Sequence, residues 1–284
     1  MPALDRHVWQ EAVRQAYSVL TGTPQPDRAV AERADAGWQL YQLYQRWVAG
    51  AADIHSDRLA AELAGVMDQT LLRPEATRSD LDAFLAAAAT IPYAALCVQP
   101  VFLEPALAAP RQPQTRVAVV TAFPHGALPA RVKAAETRAL VESGAEEIDM
   151  VAHIGALRAK DWEAVVADVE AVVEAAGHVP VKVILECTFL DEETMAAGAA
   201  LAVAAGAAFV KTSTGFGPGG AKESDVALLR RIVGARAGVK AAGGIRDLSS
   251  AMAMLAAGAD RLGTSSGPAI IAGLTWGRRD EGQE

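Results

Sequence analysis

Cysteine is nearly missing from this 284-residue chain: Cys97 and Cys187 are the only two, too few for a disulfide framework, and neither sits in a CxxC pair of the kind that holds zinc. Five histidines, His7, His55, His125, His153 and His178, form neither an HxH nor an HExxH arrangement, so the sequence implies no metal site. Apolar stretches are interrupted by charge or glycine before they reach the ~18 residues that a membrane span requires. The opening MPALDRHVWQEAVRQ lacks the basic segment followed by an apolar one that marks a secretory leader. Basic residues are outnumbered, 26 against 34 acidic, and the net charge of −8 disfavours nucleic acid and anionic membranes as partners. Together these absences predict a cytoplasmic protein that acts on a small molecule.

What the chain has in quantity is small and aliphatic. Hydrophobic residues make up 51% of it and aromatics only 5%, a balance suited to helices and parallel strands packed through alanine and valine. From about residue 62 onward, short apolar runs end in polar or glycine residues and are followed by longer helix-forming segments. The runs are AGVMDQT, AALCVQP, TRVAVVTAF, AEEIDMVAH, VPVKVILE, AAFVKTST, AGVKAAGG and ADRLGTSS. Their polar ends recur every ~23 to 33 residues, the size of a right-handed βαβ unit. Eight such units with no antiparallel hairpin predict a closed (β/α)8 (TIM) barrel over residues 62–275, with an open doubly wound sheet as the alternative.

Residues 1–61 read as a helical extension: VWQEAVRQAYSVL and AERADAGWQLYQLYQRWVAGAADIHSDRLAAEL have helical spacing, divided by the turn signal TGTPQP. Trp9, Trp38, Trp47, Tyr17, Tyr41 and Tyr44 fall in it, and aromatics at helical spacing pack on a domain or subunit surface. Residues 276–284 form a polar C-terminal tail.

In a barrel of this kind the active face lies where strands end and βα loops begin. Lys211 in FVKTSTGFGPGG follows an apolar run, and Lys240 takes the corresponding place in the next unit, GVKAAGG. An ordinary lysine is almost wholly protonated at neutral pH and cannot attack a carbonyl. Desolvation and a second cation nearby both disfavour the ammonium form, and strands about 4.8 Å apart would let the two lysines sense each other. Either lysine alone would read as a strand cap reaching solvent. Asp149 interrupts the apolar EIDMV, as an acid/base group or as a structural partner for a lysine. Lys182, early in VKVILE, would line the barrel below the site, and Glu186 would serve positioning.

The last two units carry the marks of phosphate recognition. AAGGIRD and LGTSSGPA place glycine and hydroxyl residues before helix-like segments, where backbone N–H groups and the helix dipole favour an anion. Gly243, Gly244, Gly263, Ser265 and Ser266, joined by Gly215, are predicted to form the cup. His125, alone in a Pro/Gly turn, reads as structural.

The motifs MDQTLL, EIDMV, FVKTSTGF, VKAAGGIR and RLGTSSG, spread over residues 67–271, resemble the deoxyribose-phosphate aldolase family of class I aldolases. The resemblance implies Lys211 as the Schiff-base lysine, Lys240 as the group that lowers its pKa, and Asp149 as the proton-relay acid. It also implies reversible cleavage of 2-deoxy-D-ribose 5-phosphate to acetaldehyde and D-glyceraldehyde 3-phosphate, without metal or organic cofactor, as in deoxyribonucleotide catabolism. A homo-oligomer is compatible with it. Ala242 and Gln69 depart from the family's usual residues without removing a reacting group, and Phe216 stands where some members carry a phosphate-assisting lysine.

Overall fold

A computed structural model describes residues 6–21, 36–50 and 55–276 of the chain. The eight predicted runs form eight strands: β1 Met67–Leu71, β2 Ala95–Val98, β3 Arg116–Thr121, β4 Glu147–Val151, β5 Val181–Ile184, β6 Phe209–Lys211, β7 Gly238–Ala242 and β8 Arg261–Thr264. Each pairs in parallel with the next, and β8 returns to β1 through Met67↔Leu262 and Asp68↔Gly263, so the sheet is a closed barrel and not the open alternative. The helices among the described residues are α1 Arg6–Thr21, α2 Ala36–Val48, α3 Ser56–Ala64, α4 Arg78–Ala88, α5 Leu103–Ala108, α6 Ala130–Glu142, α7 Ile154–Ala159, α8 Trp162–Ala176, α9 Glu192–Ala204, α10 Glu223–Val233, α11 Leu248–Ala257 and α12 Gly267–Trp276.

Period-two alternation sorts the strand residues into two populations. Leu96, Val98, Val117, Val119, Ile148, Met150, Val181, Val183, Val210, Val239 and Leu262 belong to the large core between barrel and helices. The alternate positions form the barrel lining, and this lining is not uniform. Ala95, Cys97, Ala118 and Val120 on β2 and β3 form a small separate apolar cluster with Leu72. On the remaining strands Asp68, Glu147, Asp149, Lys182, Lys211 and Lys240 are all buried. Strands β2 and β3 stand four places from β6 and β7 in the eight-strand ring, so the apolar half of the lining faces the two strands that carry Lys211 and Lys240.

The N-terminal helices pack on the outside of the barrel. Trp9, Ala12, Val13 and Ala16 form the buried stripe of α1, spaced as one helical face, and α1 lies against α9. Residues 194–202 of α9 are buried without a break, because β6 covers one side and α1 another. Helix α2 lies against α11, with Leu40 and Trp47 buried. Its Gly37 is there by necessity: a Cβ would come within 1.9 Å of the Ala259 carbonyl oxygen. Trp38 stacks on Tyr41 at 5.5 Å between ring centroids. Most of the TGTPQP turn, and tail residues 277–284, lie outside the described residues.

Candidate active site

The three ionisable residues singled out by sequence meet inside the barrel. Lys211 and Lys240 are direct register partners on β6 and β7. Both donate to one carboxylate oxygen, Asp149 Oδ2, at 2.8 and 2.7 Å. The other oxygen, Asp149 Oδ1, accepts from Lys182 Nζ at 2.6 Å, which places Lys182 in the layer beneath, as its early position in the strand predicts.

A second tier of charge, of which sequence reading isolated only Lys182, supports the first. Asp68 on β1 accepts from Lys240 and, at 2.7 Å, from Arg261. Glu147 Oε2 lies 2.6 Å from Lys182 Nζ, an ion pair without a directed hydrogen bond. The signal for these residues was present in the strands themselves: Glu147 and Asp149 in EIDMV are two apart, hence on the same side of β4, and both point inward.

Environment divides the three lysines. Burial lowers the Lys211 pKa, the positive charge of Lys240 acts in the same direction, and the single carboxylate of Asp149 does not outweigh them. Burial also opposes charge on Lys240, but Asp149 and Asp68 together overcome it and raise its pKa. Lys182, facing Asp149, Asp68 and Glu147, is likewise raised against the same penalty. Asp149 is desolvated too, yet three ammonium groups hold its carboxyl well below the usual carboxylate range. The arrangement thus contains one lysine disposed to be a free amine beside a carboxylate disposed to remain ionised.

Above Lys211 opens a cavity of ≈ 440 Å³. Of the predicted cup, Gly215, Gly243, Gly244, Gly263 and Ser265 line it. Ser266 lies one residue beyond, its N–H donated to Thr264 Oγ1 at 2.9 Å. Thr70, Arg73, Thr214 and Arg246, not picked out from sequence, also line it. Gly243 has φ 92°, a conformation that a side chain would strain, and Gly263 leaves room for Lys240, whose Cε would lie 3.1 Å from a Cβ there. The expectation that both following helices offer open N-termini requires correction at α11. Asp247 caps that helix by accepting from Ser250 N–H at 2.7 Å, so the terminus already holds a carboxylate, while Gly243 and Gly244 ahead of it line the cavity.

Neighbouring side chains fix the rim. Glu186 accepts from the Thr214 N–H at 3.1 Å and from the Thr214 hydroxyl, tying the loop after Lys211 to the end of β5, in accord with a positioning role. Gln69 spans the loop after β8, accepting from Gly267 N–H at 3.0 Å and donating to the Ser265 carbonyl at 3.3 Å. Phe216, 46% exposed, meets Phe123 edge-on at 5.3 Å, so the mouth has an aromatic pair where a lysine would have supplied charge. Among the described residues no His, Cys, Asp and Glu cluster could hold a metal ion, and no helix is long and apolar enough to cross a membrane.

Comparison with known proteins agrees with this chemistry. Residues 63–280 match the DeoC/LacD family of aldolases, a span that leaves out α1 and α2. The deoxyribose-phosphate aldolase of Deinococcus radiodurans is 46% identical over 211 residues, 74% of this chain and 96% of that protein. That of Halalkalibacterium halodurans is 47% identical over 219 residues, 76% of this chain and 97% of its own. Among solved structures, the aldolase QR15 superposes with a TM-score of 0.71 at 33% identity, covering 75% of this chain and 96% of that one. The deoxyribose phosphate aldolase of Aeropyrum pernix, described as tetrameric, gives 0.68 at 32% identity, covering 76% and 92%. A barrel with an electrostatically set lysine, matched over most of its length to these proteins, belongs to the DeoC/LacD family of aldolases.

Proposed function

We propose that this aldolase cleaves 2-deoxy-D-ribose 5-phosphate reversibly into acetaldehyde and D-glyceraldehyde 3-phosphate, with Lys211 as the nucleophile. The observation that carries the assignment is that Lys211 alone, of the three buried lysines around Asp149, both lines the cavity and has its pKa lowered. Its free amine adds to the C1 aldehyde carbon of the open-chain sugar, and loss of water gives a protonated imine. That cation is the electron sink, so the reading needs neither metal nor organic cofactor. Removal of the C3 hydroxyl proton, by Asp149 directly or through one water, sends the C2–C3 bonding pair toward the imine and releases glyceraldehyde 3-phosphate. The enamine left on Lys211 takes a proton at C2 and is hydrolysed to acetaldehyde, which restores the amine.

Lys240 remains charged beside Asp149 and opposes reprotonation of Lys211. Gly215, Gly243, Gly244, Gly263 and Ser265, which line the cavity at the loops of β6 to β8, hold the phosphate, with Ser266 next to them, and Arg246 adds positive charge at the same wall. We assign this chemistry to a barrel unit at 62–275, with residues 1–61 as a helical extension and 276–284 as a tail. A reducing cytoplasm suits the two cysteines, both buried and unpaired. A homo-oligomer is compatible with this reading, as described for the Aeropyrum pernix neighbour, and light scattering of this chain would test it.

The decisive experiment is reduction with borohydride in the presence of acetaldehyde, followed by peptide mapping. The expected result is one reduced two-carbon adduct on Lys211, absent in Lys211→Ala. An adduct elsewhere, or none, refutes the assignment of Lys211. Product analysis with the deoxy sugar phosphate then tests the substrate, since another phosphorylated sugar would release different aldehydes.

A further inference from the structure

We infer that Arg261, which does not touch the substrate cavity, is a charge-setting positioning residue: it completes a buried cluster whose cations outnumber its carboxylates by one, and the proton in excess is the one Lys211 gives up. The inference rests on the reading of Lys211 as nucleophile.

The cluster consists of Lys182, Lys211, Lys240 and Arg261 against Asp68, Glu147 and Asp149. All six residues other than Arg261 have side chains no more than 3% exposed, and Arg261 is 17% exposed. Charge removed from water is costly unless it is matched, so the cluster favours losing one proton. Guanidinium does not give one up. Lys182 has three carboxylates within ion-pair distance, Asp149 and Glu147 at 2.6 Å and Asp68 at 3.6 Å. Lys240 has two, Asp68 and Asp149. Lys211 has Asp149 only, at an oxygen that it shares with Lys240. Lys211 is therefore the member that becomes neutral, and with it neutral the cluster balances.

Other elements facing the cluster leave this count intact. From β2, Cys97 is buried and its thiol is pushed up to about 11, so it stays neutral. Tyr93, before β2, is pushed up to about 12 by burial. From β6, Phe209 contributes only its ring, 5.5 Å below the Arg261 guanidinium. From β3, Arg116 comes within 3.6 Å of Glu147 but is 53% exposed, where solvent screens it.

Arg261 acts from the opposite end of the barrel. It lines a second cavity, ≈ 340 Å³, with Arg116, Glu147, Tyr93 and Phe209, and none of these lines the cavity above Lys211. A substitution there can alter chemistry at Lys211 through charge alone. In the sheet Lys211 pairs with Lys240 and Lys240 with Arg261. Two strand spacings, about 10 Å, at an effective dielectric of about 20, let one charge displace the titration of another by about one pH unit.

The test is the pH dependence of kcat/KM for sugar phosphate cleavage, whose acid limb reports the amine in the free enzyme. Adduct mapping on the wild type comes first, and its failure refutes the nucleophile reading independently. With the adduct on Lys211, Arg261→Met is expected to move the acid inflection up by about one pH unit, about tenfold less free amine at a fixed acidic pH. Arg261→Lys should leave it in place. Glu147→Gln should move it down, and the double variant Arg261→Met/Glu147→Gln should return it to the wild-type position. If Arg261→Met does not fold, Glu147→Gln decides alone. Lower activity with an unmoved inflection in the folded single variants overturns the inference and leaves Arg261 a structural residue.

Discussion

Replacing Lys240 with leucine removes the cation that shares Asp149 Oδ2 with Lys211 while leaving both of its carboxylates partnered. Asp149 retains Lys182 and Lys211, and Asp68 retains Arg261 and Lys182. The variant is therefore expected to fold. Because Lys211 and Lys240 donate to one oxygen at 2.8 and 2.7 Å, their nitrogens lie close together. At about 5 Å and an effective dielectric of about 20, two unit charges repel by about 3 kcal/mol, equivalent to about two pH units. The sign is fixed: loss of a neighbouring cation favours protonated Lys211, so its pKa rises and the free amine forms only at higher pH. At pH 7 imine formation with acetaldehyde, followed as borohydride-trapped adduct per minute, should fall by about two orders of magnitude and recover on the alkaline side. A loss of the same factor at every pH, with the inflection unmoved, would refute the coupling and reduce Lys240 to a steric or structural part.

Asp149→Asn separates two steps that Lys240→Leu does not. Removing the anion lowers the Lys211 pKa further, so adduct formation should persist, while turnover falls roughly 10²- to 10⁴-fold for want of a proton acceptor; turnover close to wild type would exclude the acid/base role. Gly263→Ala should act through Lys240, since the new Cβ would lie 2.9 Å from Ala242 Cβ and 3.1 Å from Lys240 Cε. A loss of about 1–3 kcal/mol in chemical unfolding is expected, together with a disturbed pH profile; a stable variant with an unaltered profile would show that the space is not needed.

The three central site residues are legible because each breaks a rule of its surroundings. Lys211, Lys240 and Asp149 are ionisable groups set in apolar strand runs, and the cost of burying them demands partners. The supporting tier is less legible because most of it lies one strand period below the polar ends of the runs. Applying the two-residue period inward from those ends leads from Asp149 to Glu147 and from Gly263 to Arg261, which shows the second layer. Closure between β1 and β8 could not be read locally, since it depends on the summed twist and stagger of all eight strands. The helix terminus after β7 differs for a smaller reason: Asp247 in AAGGIRD serves as its cap, and glycine and hydroxyl content alone does not show that the place is filled. Thr70, Arg73 and Arg246 line the cavity by loop geometry, for which strand spacing offers no guide.

The uneven lining of the barrel bears on where protons can be exchanged. Ala95, Ala118 and Val120 offer no proton to a bound enamine, and Cys97 among them keeps its thiol proton, whereas Glu147, Asp149 and the three ammonium groups lie on β4 to β7, with Asp68 beside them on β1. In the proposed reaction, an enamine on Lys211 therefore trades protons with the β4 to β7 side of the ring and not with β2 or β3.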